Sequence, residues 1–292
     1  MSKRSKKTDD LIIEPTSDLF TASLWSAPKN EPILRDFVNA TLLDSGQPAI
    51  RQVKVLNPFS VKEFAADRQL VLDVRAQDER DRWYNLEVQT ASHAAFLERT
   101  VLHWAEMFSS QLRIGDKFAE LLPVIGIVLT AFPIFPQLQR IHAVFRMTAE
   151  ENPKVVLTDH FQMHFLRLGD LIKRQMKGVG ELHGGLQGWM NFFTFGRTAT
   201  EDKMAQLADN NPVVMAAYEE FQRFSSDAKM RDLERRRRQF LDDQRLSVSA
   251  AVKEGKYEEK FGIARNMKNE GFDTAVIIKM TGLPLAEIER LD

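Results

Sequence analysis

Three polar side chains, standing in two short apolar runs, have the types and spacing of a metal site. Asp73 lies within Leu70–Val74, and Glu87 lies within Trp83–Val88. A carboxylate in an otherwise buried strand is costly when it has no partner, whereas two such acids on neighbouring strands can share a cation. Gln89 follows Glu87 at a spacing of two, so its side chain emerges on the same face of the strand. Because Mg²⁺ and Mn²⁺ prefer oxygen ligands, the pattern predicts a divalent-cation site at Asp73 and Glu87, with Gln89 beside it.

The elements that must position these residues are the two strands of a β-hairpin. β-Branched and aromatic residues stand on both sides of a loop of almost pure charge, Gln77–Arg82, which is typical of two antiparallel strands and their connection. In this arrangement Asp73 and Glu87 can lie opposite each other. The alternative is that both acids are structural and form ion pairs with a nearby cation, namely Arg75, Lys62 or Lys54.

The ordered set of Asp73 and then Glu87-Val88-Gln89 resembles the active-site pattern of the PD-(D/E)XK nuclease superfamily, with Gln89 in the place usual for Lys. The flanking residues are similar to those of the Rpn family of recombination-promoting nucleases and transposases. In chain order, the similar segments are Asp18–Phe20, Leu34–Asn39, Leu72–Val74, Tyr84–Gln89, Phe96–Arg99, Gln111–Gly115, residues 125–129 and residues 263–283. They cover nearly the whole chain.

Two segments depart from the family pattern. Thr21-Ala22-Ser23 stands where members of the family commonly have a Lys. This departure calls into question a phosphate contact that such a Lys could make. His103-Trp104 stands where a pair of tyrosines is usual, and we expect this departure to change only packing.

The resemblance implies an α/β fold, with a mixed central sheet flanked by helices as in restriction endonucleases and an all-helical C-terminal extension. It implies a metal-dependent endonuclease that hydrolyses DNA phosphodiesters, in which Asp73, Glu87 and the Val88 carbonyl hold the metal. Mg²⁺ is the expected ion, with Mn²⁺ or Ca²⁺ as the other candidates. Gln89 would position the attacking water, and since Gln carries no charge, Arg or Lys nearby must supply more of the electrostatic stabilisation.

Two other classes of protein remain open. One is a degenerate nuclease-fold protein that binds nucleic acid without cutting it. The other is a helical interaction protein in which the nuclease core is only a scaffold.

The composition is that of an ordinary globular protein and limits the classes of function. The 292 residues carry a net charge of −1, so nucleic-acid binding must come from local patches. No cysteine is present, which excludes disulfides, thiolate zinc sites and cysteine nucleophiles. No stretch reaches the roughly 20 apolar residues of a membrane-spanning helix, and the N-terminus has no apolar signal segment. We therefore expect a cytoplasmic protein with no membrane partner.

The chain divides by its patterns into four segments. We expect a disordered basic tail at 1–10, a nuclease core at 11–170, a helical extension at 171–256 and a helical hairpin module at 257–292. In the core we predict a helix capped by Ser17 or Asp18, helices at 33–43 and 94–113, and strands at 51–56, 122–132, 141–147 and 160–168, the last two paired at the sheet edge. Beyond the core we predict helices at 187–195, 212–224 and 228–253, and three short helices after residue 257.

Candidate DNA contacts are two cations near the predicted site, Arg75 and Arg99, and the run Arg235–Arg238. For the run, the sequence favours an alternative, a solvated helix face in which acids four residues earlier pair with the arginines. The tail at 251–292 carries seven Lys and Arg against eight Asp and Glu, so it has no excess positive charge for phosphates. Its apolar residues favour packing or homodimer contact through the C-terminal helices.

Histidines are the remaining candidates for metal ligands or proton shuttles. His93 and His103 follow the predicted site closely enough to approach it as metal ligands or proton shuttles. At both positions an ordinary, partly buried histidine is the favoured interpretation. His142, His160 and His164 alternate with apolar residues, and their spacing closes no zinc site.

Overall fold

Six strands form one mixed sheet in the computed structural model, which describes residues 11–58, 60, 73–92, 94–173 and 182–291. The strands are β1 (Val53–Val55), β2 (Val74–Asp78), β3 (Trp83–Gln89), β4 (Val124–Thr130), β5 (His142–Arg146) and β6 (Phe161–Arg167). Their order across the sheet is β1-β2-β3-β4-β6-β5. Neighbours among β3, β4 and β6 run parallel, and the other pairs run antiparallel. The predicted basic tail, Lys62 and His93 lie outside the described residues.

Helices flank the sheet and make up the C-terminal part of the described chain. They are α1 (Asp18–Ser26), α2 (Glu31–Asp44), α3 (Phe96–Ser109), α4 (Leu168–Lys173), α5 (Leu186–Phe195), α6 (Glu201–Leu207), α7 (Pro212–Ser226), α8 (Ala228–Asn269), α9 (Thr274–Thr281) and α10 (Leu285–Glu289). None of the helices in the described ranges is both long enough and apolar enough to span a bilayer. The predicted α/β class, a mixed sheet between helices with helical C-terminal segments, is confirmed.

The position of α3 follows from the parallel pairing of β3 and β4. Parallel neighbours require a crossover connection, and α3 lies in this one. The helix packs on one face of the sheet through Phe96, Trp104 and Met107. Side chains alternate along β3, so Glu87 and Gln89 point to the face that α3 covers.

The opposite face of the sheet carries the larger hydrophobic core. Leu86 of β3 and Ile127 of β4 point into it, and residues of α1, α2, α5 and α7 cover it. β4 is buried over all seven residues, as predicted for an apolar run covered on both faces. α1 begins after Ser17, whose Oγ accepts a hydrogen bond from the N–H of Phe20 at 3.2 Å, and this confirms the predicted cap.

The first strand of the hairpin that carries the acids differs from the prediction at both ends. β2 begins at Val74, so Asp73 is the residue before the strand and not inside it. Gln77, predicted in the loop, belongs to the strand. The Asp78 carboxylate accepts hydrogen bonds from the N–H groups of Arg80 and Arg82, at 2.8 and 3.0 Å. These bonds close a shorter turn than the charge pattern predicts.

The helix after the hairpin ends at Ser109, four residues before the predicted end at Arg113. The side-chain amide of Gln111 donates to the Leu122 carbonyl at 3.0 Å and accepts from the Leu122 N–H at 2.8 Å. This pair of bonds holds the chain in a loop where the apolar periodicity predicts another turn of helix. Val101 lies on this helix and is 50% exposed, so it is not part of the face that packs on the sheet.

A single 42-residue helix, α8, replaces the charged helix and the first short tail helix of the prediction. Gly255 stands between them and is exposed, and a glycine inside a helix costs only about 1 kcal/mol relative to alanine.

The chain forms two compact units, Met1–Glu234 and Arg235–Asp292. The first contains the sheet and α1 to α7, and the second has a small apolar core that includes Ala264, Ile277 and Ile288. The four segment boundaries predicted from the sequence stay a prediction.

Candidate active site

Two carboxylates face each other where β2 begins and β3 ends. The register of these strands pairs Val74 with Leu86, and when it is continued by one residue it places Asp73 opposite Glu87. The Asp73 side chain is 18% exposed and that of Glu87 only 5%. The sequence predicted this juxtaposition from the two apolar runs, and the observed register produces it.

Asn57 holds the backbone at Asp73. Its side-chain amide donates to the Asp73 carbonyl at 2.7 Å and accepts from the N–H of Arg75 at 2.6 Å. The amide thus makes the two hydrogen bonds that a neighbouring strand residue would make, and it fixes Asp73 at the start of β2. The sequence shows Asn57 only as the end of the preceding strand, so this positioning contact was not predicted.

The acid pair changes the ionisation of Asp73. Burial, and after it the negative charge of Glu87, raises the pKa of the Asp73 carboxyl to about 7. The positive charges of Arg99 and Arg75 oppose this increase in pKa, and the charge of Asp18 adds to it. Like charges in a poorly solvated site favour the neutral form of one partner. The neutral form of the Asp73 carboxyl is therefore favoured at pH values well above the ordinary pKa of an aspartate.

His103 of α3 is the third member of the cluster. Its Nδ1 lies 3.5 Å from Asp73 Oδ2 and 3.9 Å from Glu87 Oε2. One ligand atom from each of the three residues lies within 4.8 Å of the others. The His103 Nδ1 and Glu87 Oε2 atoms are buried, and neither has a hydrogen-bond partner among the described residues. Two carboxylates and an imidazole with unused ligand atoms fit a divalent metal ion.

The imidazole of His103 lies beside the acids, and both its ligand role and the favoured interpretation, an ordinary polar or partly buried histidine, stay predictions. One sequence signal could have indicated this position beside the acids. His103 comes four residues after Arg99, and residues at that spacing are neighbours on one side of a helix.

Arg99 joins the acid pair to Gln89. Its guanidinium donates to Glu87 Oε1 at 3.1 Å and to Gln89 Oε1 at 2.8 Å. The Gln89 amide nitrogen donates in turn to the Ala91 carbonyl at 3.1 Å. Arg99 was predicted as a DNA contact, and the structure places its charge within the acid cluster. The orientation of the Gln89 side chain is therefore set by a cation on one side and by the backbone on the other.

Two further predictions concern Val88, as a metal ligand through its carbonyl, and the run Arg235–Arg238, as a DNA contact. Val88 lies between Glu87 and Gln89 on β3, with its half-buried side chain against the opposite core, and a ligand role for its carbonyl stays a prediction. In the run Arg235–Arg238, Arg237 is 9% exposed while the first two arginines are exposed. A fully solvated helix face does not describe this run, and its contact with DNA stays a prediction.

Comparison with known proteins identifies one family. A family model described as PD-(D/E)XK nuclease family transposase matches residues 15–251. That range includes Asp73, Glu87, Gln89, Arg99 and His103. No match was found among curated proteins or among solved structures.

Proposed function

Since the chain belongs to the PD-(D/E)XK nuclease family transposases, we propose that it is a metal-dependent endonuclease that hydrolyses phosphodiester bonds of DNA. The observation that carries the proposal is the placement of the half-buried Asp73 carboxylate opposite the buried Glu87 carboxylate, whose Oε2 has no hydrogen-bond partner among the described residues. A structural pair of acids would be expected to have both carboxylates neutralised by cations. Here burial and mutual repulsion raise the pKa of Asp73 to about 7, which is a cost to the folded protein that a bound cation removes.

Each residue of the cluster has a distinct part in this function. Asp73 and Glu87 would hold the metal ion, with Asp73 in its deprotonated form. The chemistry that such an ion would supply is a lowered pKa of a bound water and neutralisation of charge on the scissile phosphate. Gln89 lies on the same face of β3 as Glu87, where its amide orients the attacking water. Asn57 keeps Asp73 at the start of its strand.

Arg99 supplies the positive charge that Gln89 lacks. Its guanidinium lies 2.8 Å from Gln89 Oε1 and 3.1 Å from Glu87 Oε1. A lysine at position 89 would place a positive charge on β3 itself. In this chain the positive charge beside position 89 comes from Arg99 of α3. A guanidinium also has more donors than an ammonium in a fixed geometry. It can hold Glu87 and Gln89 together and still present an N–H to a phosphate oxygen.

One observation favours a second candidate function, a nuclease-fold protein that binds DNA without cutting it. The Gln89 amide is held by Arg99 on one side and by Ala91 on the other, and these contacts fix its direction. If the amide held in this direction does not reach the attacking water in the complex with DNA, the protein binds its substrate and does not hydrolyse it.

A nicking assay on supercoiled plasmid, started from metal-free protein to which metal is then added, distinguishes the two functions. The wild-type protein should nick when Mg²⁺ or Mn²⁺ is added and should stop when the metal is chelated. Asp73→Ala and Glu87→Ala should each abolish nicking with the circular dichroism spectrum unchanged. Glu98→Ala, which removes an exposed carboxylate from α3, is the matched control and should nick at the wild-type rate. DNA binding without nicking in either metal would establish the second candidate, and nicking by Glu87→Ala would refute the site.

A further inference from the structure

His103 presents an unused nitrogen to the acid pair. Its Nδ1 is buried and has no hydrogen-bond partner among the described residues, although Asp73 Oδ2 lies 3.5 Å away and Glu87 Oε2 lies 3.9 Å away. Glu87 Oε2 is also without a partner, in a side chain that is only 5% exposed. Buried polar atoms in native proteins almost always have a partner. A species that binds the nitrogen and the oxygen at once would satisfy both atoms.

The distances between these atoms fit a shared metal ion. Two donor atoms that each lie about 2.1 Å from one ion are about 3.0 Å apart at a right angle and about 4.2 Å apart when opposite. The two measured distances from Nδ1, 3.5 and 3.9 Å, fall inside this interval. The imidazole nitrogen and the carboxylate oxygens therefore lie at distances suited to joint coordination of one cation. The same distances are long for a direct hydrogen bond.

We propose that His103 Nδ1 is a protein ligand of the metal ion at Asp73 and Glu87, and that it makes the site prefer Mn²⁺ to Mg²⁺. The inference rests on the proposed function, because the metal site is that of the nuclease. It goes beyond that function by adding a nitrogen ligand that an all-oxygen site lacks.

The preference for Mn²⁺ follows from ligand chemistry. Mg²⁺ binds oxygen ligands and gives up its water reluctantly, so an imidazole adds little to its affinity. Transition metals accept imidazole nitrogen together with carboxylate oxygen. A set of two carboxylates and one imidazole therefore stabilises Mn²⁺ more than Mg²⁺, while Asp73 and Glu87 alone would hold either ion.

Pulsed electron paramagnetic resonance on the full-length protein loaded with Mn²⁺ tests the ligand directly. A nitrogen bonded to Mn²⁺ produces a hyperfine coupling that oxygen ligands do not produce. The wild-type spectrum should show this coupling, and His103→Asn should lose it. His183→Asn, which removes an exposed histidine outside the cluster, should keep it. The wild-type measurement requires no variant to fold.

Calorimetric titration of metal-free protein tests the preference. We expect Mn²⁺ to bind the wild-type protein at least about tenfold more tightly than Mg²⁺, and His103→Asn to lose about tenfold in Mn²⁺ affinity with a smaller loss for Mg²⁺. Bound Mn²⁺ without a nitrogen coupling, or equal losses for both ions in His103→Asn, would overturn the role of His103 and leave the proposed nuclease intact. Failure of the wild-type protein to bind either ion would overturn both.

Discussion

The ionisation of Asp73 makes the metal-free protein less stable as the pH rises, and Asp73→Asn should remove this loss. The pKa of this carboxyl is about 7 in the folded protein against an ordinary value of 3.8. Below pH 3.8 the group is protonated in both states and its contribution to stability is fully present. Between pH 3.8 and 7 the unfolded chain loses the proton while the folded protein keeps it, so the free energy of unfolding falls. Above pH 7 the loss is complete.

The size of the effect follows from the same two values. Each pKa unit corresponds to about 1.4 kcal/mol, so the rise from 3.8 to about 7 corresponds to about 4 kcal/mol as an upper limit. Asparagine has nearly the same shape and carries no charge. Asp73→Asn should therefore be more stable than the wild-type protein at pH 8 by as much as this amount, which raises Tm by up to about 8 °C. At pH 4 the two proteins should melt within about 1 °C of each other.

Tryptophan fluorescence is the suitable readout for these melts. The four tryptophans are Trp25, Trp83, Trp104 and Trp189, and all lie in the first compact unit with Asp73. Glu98→Gln, an exposed carboxylate on α3, is the control and should leave Tm unchanged at both pH values. Added Mn²⁺ should raise the Tm of the wild-type protein at pH 8 more than that of Asp73→Asn, because only the former keeps both carboxylates for the ion.

Two results would refute this reasoning. A lower Tm for metal-free Asp73→Asn than for the wild-type protein at pH 8 would mean that the carboxylate is a structural partner of a cation. A gain in Tm of equal size at pH 4 and pH 8 would mean that Asp73→Asn acts through packing and not through charge.

Four further outcomes are expected. Arg99→Gln should slow plasmid nicking about 100-fold and shift the rising limb of its pH profile upward, since the Arg99 charge lowers the pKa of Asp73; an unchanged rate would remove Arg99 from the site. Replacing Arg235 and Arg236 with Gln should leave the slope of log K for DNA against log salt unchanged, whereas a decrease of about 0.9 for each lost phosphate contact would show that they bind DNA. Deletion of residues 251–292 should preserve nicking and reduce self-association in light scattering, because it removes the exposed apolar side chains of the C-terminal helices; loss of nicking by a protein of unchanged mass would contradict this. Burial, with His142 and Arg146, holds the pKa of His164 well below 6.5, so the unfolded chain takes up a proton first and stability should fall as the pH drops below 6.5; urea unfolding at pH 7 and pH 5 should show a smaller loss for His164→Asn.

Local patterns were sufficient for the sheet and for the acid pair. The continuous apolar run at β4 follows from burial on both faces, and the residue types at β5 and β6 are typical of strands, so residue order alone was enough to predict all three. The same holds for Asp73 and Glu87, because a hairpin brings residues at equal distances from its turn together whatever surrounds it. The N-terminal cap at Ser17 is equally local.

Elements whose ends depend on distant partners were not predictable in the same way. The apolar periodicity of α3 continues past the end of the helix, where two hydrogen bonds between Gln111 and Leu122 hold the chain in a loop. β2 begins at Val74 partly because Asn57, two residues after the end of β1, bonds to the backbone on both sides of that residue. Such contacts join residues far apart in the chain, and no spacing rule relates them.

The tertiary structure decided what completes the site around the acids. Sequence order shows that Arg99 and His103 share one side of a helix, but it does not show which strand end that side covers. The answer depends on how α3 packs on the sheet through Phe96, Trp104 and Met107. That packing turns one side of the helix toward β3, and so places a guanidinium and an imidazole beside two carboxylates. The sequence by itself identified the two acids and indicated the class of chemistry, and the fold determined that a guanidinium and an imidazole lie beside them, because helix orientation is set by the packing of the whole core.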